Sequence, residues 1–187
     1  MVAHRDHFSL PSGLLQPAVC FILLFSSLSA YPVDTTPTAI CRQLSDLLPS
    51  KVLLPNSTLY TTSTQSYFFR NSIQAPACVI NPTSTEDVSQ AIKAITAAPS
   101  IKFSVKGGGH SPNKGAANTD GGVLLDLGSL KSITPLSNKW DIIGVGAGVK
   151  SVDAYRVLDP HNVTVVGARV ASVGLGGFLT GGTTDSA

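Results

Sequence analysis

The sequence is poor in charge, since only 13% of its 187 residues are charged and the formal net charge is +2. Its lysines are scattered, and no basic run alternates with aromatic residues as a nucleic-acid-binding face requires. Glu86 is the only glutamate and the aspartates lie far apart. These shortages argue against nucleic acid as a partner and against a hydrolase that works with paired carboxylates.

The sequence also lacks an N-terminal apolar run of the length that crosses a bilayer, which is about 20 residues. The run near the N-terminus is uninterrupted only from Ala18 to Phe25, basic residues precede it, and small residues follow from Ser26 to Ala30. This pattern predicts a secretory signal peptide over residues 1–30. A buried N-terminal helix is the alternative, but the Pro32 that follows suits a processing site better. We expect a secreted protein without a membrane anchor after cleavage.

Cysteine is scarce, with three residues in the whole chain. Cys20 would leave with the signal peptide, so the mature chain would keep Cys41 and Cys78 in an oxidising compartment. We expect these two to form a disulfide, the alternative being two buried free thiols. Asn56 and Asn162 begin N-glycosylation sequons, which suit a secreted protein.

Glycine, by contrast, is abundant and clustered. Three consecutive glycines separate Lys106 from His110, directly after an apolar, strand-like run. Glycine reaches positive φ without a Cβ clash, so successive amides can turn inward around an anion, and Lys106 adds positive charge. The segment predicts a bound phosphate, such as the pyrophosphate of a dinucleotide, beside a reactive imidazole. A flexible surface turn with an incidental histidine is the alternative.

The middle of the chain has the pattern of a β-α-β unit. Ala77–Ile80 is a short apolar strand, and Ser84 then opens a helix of about 13 residues with Asp87 in a near-match to a capping box. Apolar residues recur on one side of this helix, and Pro99 ends it. The next strand, Lys102–Val105, leads directly into the glycine cluster, where phosphate sites of α/β units often lie.

Downstream of that unit the pattern is rich in strands. We expect strands at Val123–Leu127, Trp140–Val145 and Thr164–Val166, and a short helix at Val152–Leu158. Upstream, the Ser/Thr-rich stretch Ser57–Ser66 reads as a loop. The pattern as a whole predicts an α+β fold.

The cluster Gly144–Gly148 follows a strand and invites comparison with a Rossmann nucleotide fold. That fingerprint needs a glycine where this chain has Val149, and no acidic residue follows at about the expected 20 residues, where Thr164–Gly167 lies. We therefore interpret these glycines as a strand bulge that another backbone approaches closely.

Two separate blocks of sequence resemble one known family. They are Phe103–Asn113 with Asp120–Leu127, and Val166–Gly182. Both are similar to the FAD-binding domain of the para-cresol methylhydroxylase / vanillyl-alcohol oxidase superfamily, and most to secreted fungal berberine-bridge-enzyme-like oxidases. The resemblance runs from about residue 60 to residue 182.

The resemblance implies a fold and a division of the chain. The FAD-binding domain of this family has an N-terminal β-α-β subdomain and a second, β-rich subdomain, of which this chain would hold the start. We expect a signal peptide at 1–30, an N-terminal extension at 31–70, and an incomplete FAD-binding domain at 71–187. The substrate domain would be absent.

From the residues alone, His110 could be a metal ligand, a general base, a structural residue or a site of flavin attachment. A metal lacks further ligands, since His161 is the only other histidine of the mature chain, and no G-x-S-x-G elbow supports a serine hydrolase. The resemblance implies that Nδ1 of His110 is bonded to the 8α-methyl carbon of FAD. Relatives with a second bond use a cysteine where this chain has Val170, which implies single attachment. The remaining implied FAD contacts are Val105, Lys106, Gly107, Gly108, Gly109, Ser111, Gly174, Leu175, Gly176, Gly177 and Phe178.

The resemblance also implies a reaction. A small organic substrate would deliver hydride to flavin N5, and dioxygen would reoxidise the flavin with release of hydrogen peroxide. The alternative is a non-catalytic secreted remnant of such an oxidase. No residue of the chain is identified as the catalytic base, and no metal is expected.

Overall fold

The structure, a computed structural model, describes residues 36–182, all of which belong to one of the two units into which the chain divides. The predicted signal peptide lies outside the described residues. Within them, no helix combines the length and the apolar character that crossing a membrane requires. The helices are α1 (Pro37–Leu47), α2 (Thr58–Gln65), α3 (Thr85–Thr96), α4 (Ser151–Leu158) and α5 (Leu175–Gly181). The strands are β1 (Val52–Leu53), β2 (Cys78–Ile80), β3 (Phe103–Lys106), β4 (Val123–Asp126), β5 (Ile133–Pro135) and β6 (Ile143–Val145).

Four strands form the main sheet in the order β1-β2-β4-β3. Strands β2, β4 and β3 run parallel, with Val79 opposite Leu124 and Leu124 opposite Ser104, while β1 joins β2 antiparallel. All four residues of β4 are buried, as expected of a parallel strand that is covered on both faces. The predicted β-α-β unit is present, with β4 inserted between the two strands that α3 connects. The carboxyl ends of β3 and β4 therefore lie side by side.

Helix α3 begins where the sequence predicts. The Ser84 hydroxyl accepts the N–H of Asp87 at 3.1 Å, and the Asp87 carboxylate accepts the N–H groups of Ser84 and Thr83 at 3.1 and 2.8 Å. These bonds, above all the one from the Thr83 backbone, lower the pKa of Asp87. Ala91 and Ile95 face the core, as the apolar periodicity indicates.

The segment ahead of residue 71 is part of the same core. Helix α1 buries Ile40 and Leu44 against β2 and α3. The expected disulfide is present, and it joins Cys41 of α1 to Cys78 of β2 with a Cα–Cα distance of 6.0 Å. The covalent link therefore ties the first helix to a central part of the sheet.

The chain after β4 forms a second, smaller group of strands and helices. Strands β5 and β6 form an antiparallel hairpin, and Val149, Ala154 and Leu175 form a small core beneath it. The predicted close approach within the 144–148 glycine cluster is observed, since a Cβ on Gly146 would lie 2.2 Å from the Leu130 carbonyl oxygen. The helix expected at Val152–Leu158 is α4.

Two of the sequence-based expectations are wrong, and a third is too long. The stretch 57–66 is not a loop but helix α2, capped by Ser57, in which Thr62 and Thr64 donate their hydroxyls to carbonyls one turn back. Residues 164–166 pair with no strand. The strand expected from residue 140 begins only at Ile143, because Trp140 lies in a turn with φ of 60°.

Candidate functional site

The two glycine-rich segments, distant in sequence, meet at the carboxyl end of β3. A Cβ on Gly108 would lie 2.4 Å from the backbone nitrogen of Gly174, and a Cβ on Gly174 would lie 2.4 Å from the nitrogen of Gly108. Only glycine at both positions permits this approach. A pocket of about 370 Å³ opens between the segments. It is lined by Val105, Gly107, Gly108, Gly109, His110, Ser111, Ala116, Ala117, Val173, Gly174, Gly177 and Phe178.

The first segment turns at Gly109. This residue has φ of +68°, a conformation that other residues rarely adopt. Its carbonyl accepts the N–H of Phe68 at 3.1 Å. The turn thereby connects the glycine segment to the chain that follows α2.

His110 lies at the edge of the pocket and is held on two sides. Its Nε2 lies 3.2 Å from the hydroxyl oxygen of Ser172, which belongs to the second segment. Its ring stacks on Phe68 with centroids 4.0 Å apart and planes 22° apart, and Phe69 meets it edge-on at 6.2 Å. Nδ1 has no hydrogen-bond partner among residues 36–182.

Lys106 does not face this pocket. Its ammonium group is buried and donates to the Ser63 carbonyl at 2.7 Å, to the Ser66 hydroxyl at 2.7 Å and to the Asp126 carboxylate at 3.1 Å. All three protons of the ammonium group are therefore engaged within the protein. Burial lowers the pKa of Lys106, and the neighbouring Asp126 opposes that effect. Lys106 ties α2 to the ends of β3 and β4 instead of reaching the pocket.

The Lys106 network also orders the residues around it. The Ser63 hydroxyl donates to the Asp126 carboxylate, and the ammonium of Lys106 lies 4.7 Å from the centre of the Tyr67 ring. The Tyr67 hydroxyl donates to the Ala117 carbonyl at 2.8 Å, and burial raises the pKa of Tyr67. The network thus supports the wall of the pocket that Gly109 and Ala117 form.

On the other side of Gly107 and Gly108, the same network borders a second cleft of about 300 Å³. Lys131 and Lys150 also line this cleft.

The predicted residues of the second segment divide into two groups. Gly174, Gly177 and Phe178 line the pocket, whereas Leu175 is buried in the small core with Val149. Gly176 packs against the backbone of Ala147, whose carbonyl oxygen would lie 2.7 Å from an added Cβ. Residues 175–181 form helix α5, so this part of the predicted loop is helical.

Val170, where the resemblance places the second attachment of some relatives, is exposed and does not line the pocket. Its carbonyl accepts the N–H of Val173 at 3.1 Å in a turn. Valine has no nucleophilic atom, and within the pocket lining only His110 and the weakly nucleophilic hydroxyl of Ser111 have one.

Sequence reasoning missed several residues that support the site, among them Phe68, Tyr67, Asp126 and Ser172. Asp126 carried a usable signal, because a carboxylate that ends a buried strand requires a partner. The others carried none, since each depends on contacts between segments that are distant in sequence.

The lining of the pocket suits the pyrophosphate region of an anionic dinucleotide such as FAD. Among the described residues that line it, none is acidic, and most are glycine or alanine, so the backbone itself forms its surface. A Cβ at Gly177 would meet nothing within 4 Å, which leaves open space on that side. Backbone N–H groups in such a glycine-rich concavity are suited to pyrophosphate oxygens.

A family model described as an FAD binding domain matches residues 76–186, more than half of the chain. Among individual proteins, the FAD-dependent monooxygenase sdcF of Emericella nidulans is 34% identical over 149 residues, which are 79% of this chain and 31% of that protein. The FAD-dependent monooxygenase CTB5 of Cercospora beticola is 36% identical over 162 residues, 83% of this chain and 31% of the relative. The chain thus spans about a third of the length of these relatives.

Solved structures share the fold. The 6-hydroxy-D-nicotine oxidase of Arthrobacter nicotinovorans superposes with a TM-score of 0.58 at 27% identity, covering 66% of this chain and 26% of that one. The glucooligosaccharide oxidase of Acremonium strictum, described with a 6-S-cysteinyl, 8α-N1-histidyl FAD, superposes with a TM-score of 0.64 at 24% identity. That likeness covers 80% of this chain and 30% of the oxidase.

Proposed function

Because this chain belongs to the FAD binding domain family of the para-cresol methylhydroxylase / vanillyl-alcohol oxidase superfamily, we propose that it forms the cofactor-binding part of an FAD-dependent oxidase, with the flavin bonded to His110. The substrate would be a small organic molecule and the electron acceptor dioxygen. FAD, when bound, supplies a hydride-accepting ring for oxidation of a C–H bond.

One observation carries the proposal. The single histidine of the pocket lining has Nε2 turned to Ser172, which leaves Nδ1 as the nitrogen available to a ligand. Nδ1 is the atom that the family resemblance assigns to the 8α bond. The Acremonium strictum oxidase, which shares this fold, carries a histidyl FAD, and a link of the same type is therefore reasonable for this chain.

The residues of this chain would act by holding the cofactor in position. Backbone amides of Gly107 to Gly109 and of Gly174 would hold the pyrophosphate, and the fixed approach of Gly108 to Gly174 would set the position of the rest of the cofactor. Phe178 and Val105 would contribute apolar surface to the pocket. Lys106 would contribute from outside the pocket, by holding the C-terminal end of α2 in place.

The test measures covalent flavin in a polypeptide of the relatives' length that carries this sequence. We expect flavin to remain attached after acid precipitation, and His110→Ala to release it because the only other nucleophilic atom of the lining is the Ser111 hydroxyl, a much weaker nucleophile than a neutral imidazole. His161→Ala is the matched control and should retain the flavin, since His161 stacks on Trp140 outside the pocket. A flavin adduct on any tryptic peptide without His110, or none on the unaltered protein, would contradict the proposal.

We propose in addition that the protein is secreted and glycosylated. Asn56 and Asn162 are both exposed and lie in turns, with φ of 73° and 54°. Both side chains are therefore accessible to a glycosyl transferase. Treatment with a peptide N-glycosidase should lower the mass of the protein, and this mass decrease should be smaller in Asn56→Gln and in Asn162→Gln. Secreted protein whose mass the enzyme does not change would contradict the proposal.

A further inference from the structure

Three side chains restrict the position of the His110 imidazole. Ser172 contacts one edge through Nε2, Phe68 covers one face and Phe69 approaches from the side. Neither Ser172 nor either phenylalanine lines the pocket, although His110 does. The contacts therefore hold the ring from outside the ligand space and leave its remaining edge to the pocket.

We propose that Ser172 is a positioning residue that keeps the proton of His110 on Nε2 and so presents the lone pair of Nδ1 to the pocket. The proposal rests on the proposed function of His110 as the flavin attachment site. It assigns to Ser172, a residue of the second glycine-rich segment, a role in making His110 nucleophilic.

The argument begins with the tautomer. A neutral imidazole has one protonated nitrogen and one with a lone pair, and only the latter can form a new bond to carbon. If Nε2 donates its proton to the Ser172 oxygen at 3.2 Å, Nδ1 carries the lone pair. Rotation of the ring by 180° would place a carbon opposite Ser172 and lose the hydrogen bond. The contact thus fixes the ring orientation, and the proposal assigns the Ser172 oxygen the role of acceptor, which fixes the tautomer.

Ser172 is itself held firmly. The next residue, Val173, donates its N–H to Val170, and its carbonyl accepts the N–H of Ser151 at 2.9 Å. The hydroxyl of Ser151, which is completely buried, donates to the same carbonyl at 3.2 Å. The hydroxyl that faces His110 therefore projects from an anchored turn.

Phe68 restricts the remaining freedom of the ring. Its N–H is bonded to the Gly109 carbonyl, next to His110 in sequence, so the stacked ring and the imidazole are fixed to the same backbone turn. Stacking on Phe68 fixes the plane of the imidazole, and the hydrogen bond to Ser172 fixes which ring nitrogen faces the pocket. The two contacts are complementary.

The bond to be formed defines what Ser172 would do during attachment. One C–H bond of the 8α-methyl group is replaced by the bond from carbon to Nδ1, and the imidazole loses its Nε2 proton. The two electrons and two protons released reduce one dioxygen to hydrogen peroxide, so atoms and electrons balance. While the imidazole is cationic, its Nε2–H donates a stronger, charge-assisted hydrogen bond to the Ser172 oxygen.

The test uses the full chain without flavin and alkylation by iodoacetamide at about pH 8, where an ordinary imidazole is neutral. Trypsin releases His110 on peptide 107–114 and His161 on peptide 157–169. Acid hydrolysis of each peptide gives the Nδ1- and Nε2-carboxymethyl isomers of histidine, which chromatography separates. We expect Nδ1 product to exceed Nε2 product at His110 by about fivefold to tenfold, the equivalent of one hydrogen bond. Ser172→Ala should abolish this preference.

Two comparisons make the result specific. Ser172→Thr keeps a hydroxyl and should restore the preference for Nδ1, and the isomer ratio at His161 should be the same in every variant. An equal ratio in the unaltered chain, or a preference that survives in Ser172→Ala, would overturn the proposal even if one variant failed to fold. Selective alkylation at Nδ1 combined with absence of covalent flavin in the longer polypeptide would instead refute the proposed function and leave the role of Ser172 intact.

Discussion

At the scale of the residue, the site is built from backbone that is supported by a small number of buried polar side chains. Lys106, Asp126 and Ser63 form a buried network in which the ammonium group has three acceptors. A buried charge is tolerated only when it is paired and hydrogen-bonded, so the cost of disturbing one partner is high. This network, and not a charge in the pocket, is what Lys106 contributes.

We expect Lys106→Met to destabilise the fold by about 3 to 5 kcal/mol, because Asp126 would remain buried without its cation. The double variant with Asp126→Asn should recover much of that loss, since no unpaired charge would remain. Urea unfolding of the three proteins measures both effects. If Lys106→Met is as stable as the double variant, the loss of stability does not come from the unpaired charge of Asp126.

The contact between Gly108 and Gly174 gives a second prediction at this scale. Gly108→Ala should destabilise by about 2 kcal/mol or more, because its Cβ would overlap the Gly174 backbone and force the two segments apart. Gly177→Ala is the matched control: it lies in α5 with open space at its Cβ, and should stabilise by about 0.5 to 1 kcal/mol. Equal midpoints of unfolding for both variants would contradict this account.

At the scale of the element, α3 connects two strands of the sheet and is started by its capping box. Ser84→Ala removes an acceptor for the first turn and should cost about 1 kcal/mol of stability. The helix keeps its apolar face, with Ala91, Ala94 and Ile95 buried, so it should still form. Circular dichroism during denaturation measures the loss.

The same cap predicts a dependence on pH. The pKa of Asp87 is lowered in the folded protein, chiefly by the Thr83 backbone N–H, so its contribution is complete above the ordinary value of 3.8. It is lost as the pH falls below that value and through the lower folded pKa. The stability difference between the unaltered protein and Asp87→Asn should therefore shrink in this acidic range. A difference that is constant from neutral pH to pH 2 would rule out this role of Asp87.

At the scale of the whole molecule, the pocket is an open face. Val105, which lines it, is 41% exposed on the described part of the chain, and Val170 and Leu179, which lie in the second glycine-rich segment outside the lining, are 46% and 54% exposed. The chain spans 31% of the length of the sdcF relative. Ordering flexible glycine-rich loops costs about 1 to 2 kcal/mol per residue, and burial must offset that cost.

We therefore expect the 187-residue chain by itself to bind FAD with a Kd weaker than about 10 μM, which corresponds to less than about 7 kcal/mol. Titration with quenching of flavin fluorescence measures this affinity. The control is a polypeptide of the relatives' length with the same N-terminal sequence, which should bind more tightly. Tight, stoichiometric binding by the 187-residue chain would contradict the expectation.

Local pattern and residue chemistry were enough to predict much of this protein from its sequence. Apolar periodicity and the Ser84–Asp87 cap located α3, and apolar runs located β2, β3 and β4 to within a residue or two at each end. The even count of cysteines identified the bonded pair, clustered glycines identified the first wall of the pocket, and the family resemblance pointed to the second. Each of these signals lies within a short stretch of the chain, except the disulfide, for which a cysteine needs only the one other cysteine of the predicted mature chain.

Apart from α1 and β5, which the sequence analysis did not predict, the main features that sequence reasoning missed depend on contacts across the fold. Helix α2 is rich in Ser and Thr, which favour turns in isolation, and it is held by its bonds to Lys106 and Asp126. Lys106 turns away from the pocket because buried Asp126 lies beside it on the neighbouring strand, a pairing set by the insertion of β4 between β2 and β3. Ser172 meets His110 across 62 residues because Gly108 and Gly174 let the two segments touch. No local pattern records such distances, since their energy is gained only once the sheet has brought the segments together.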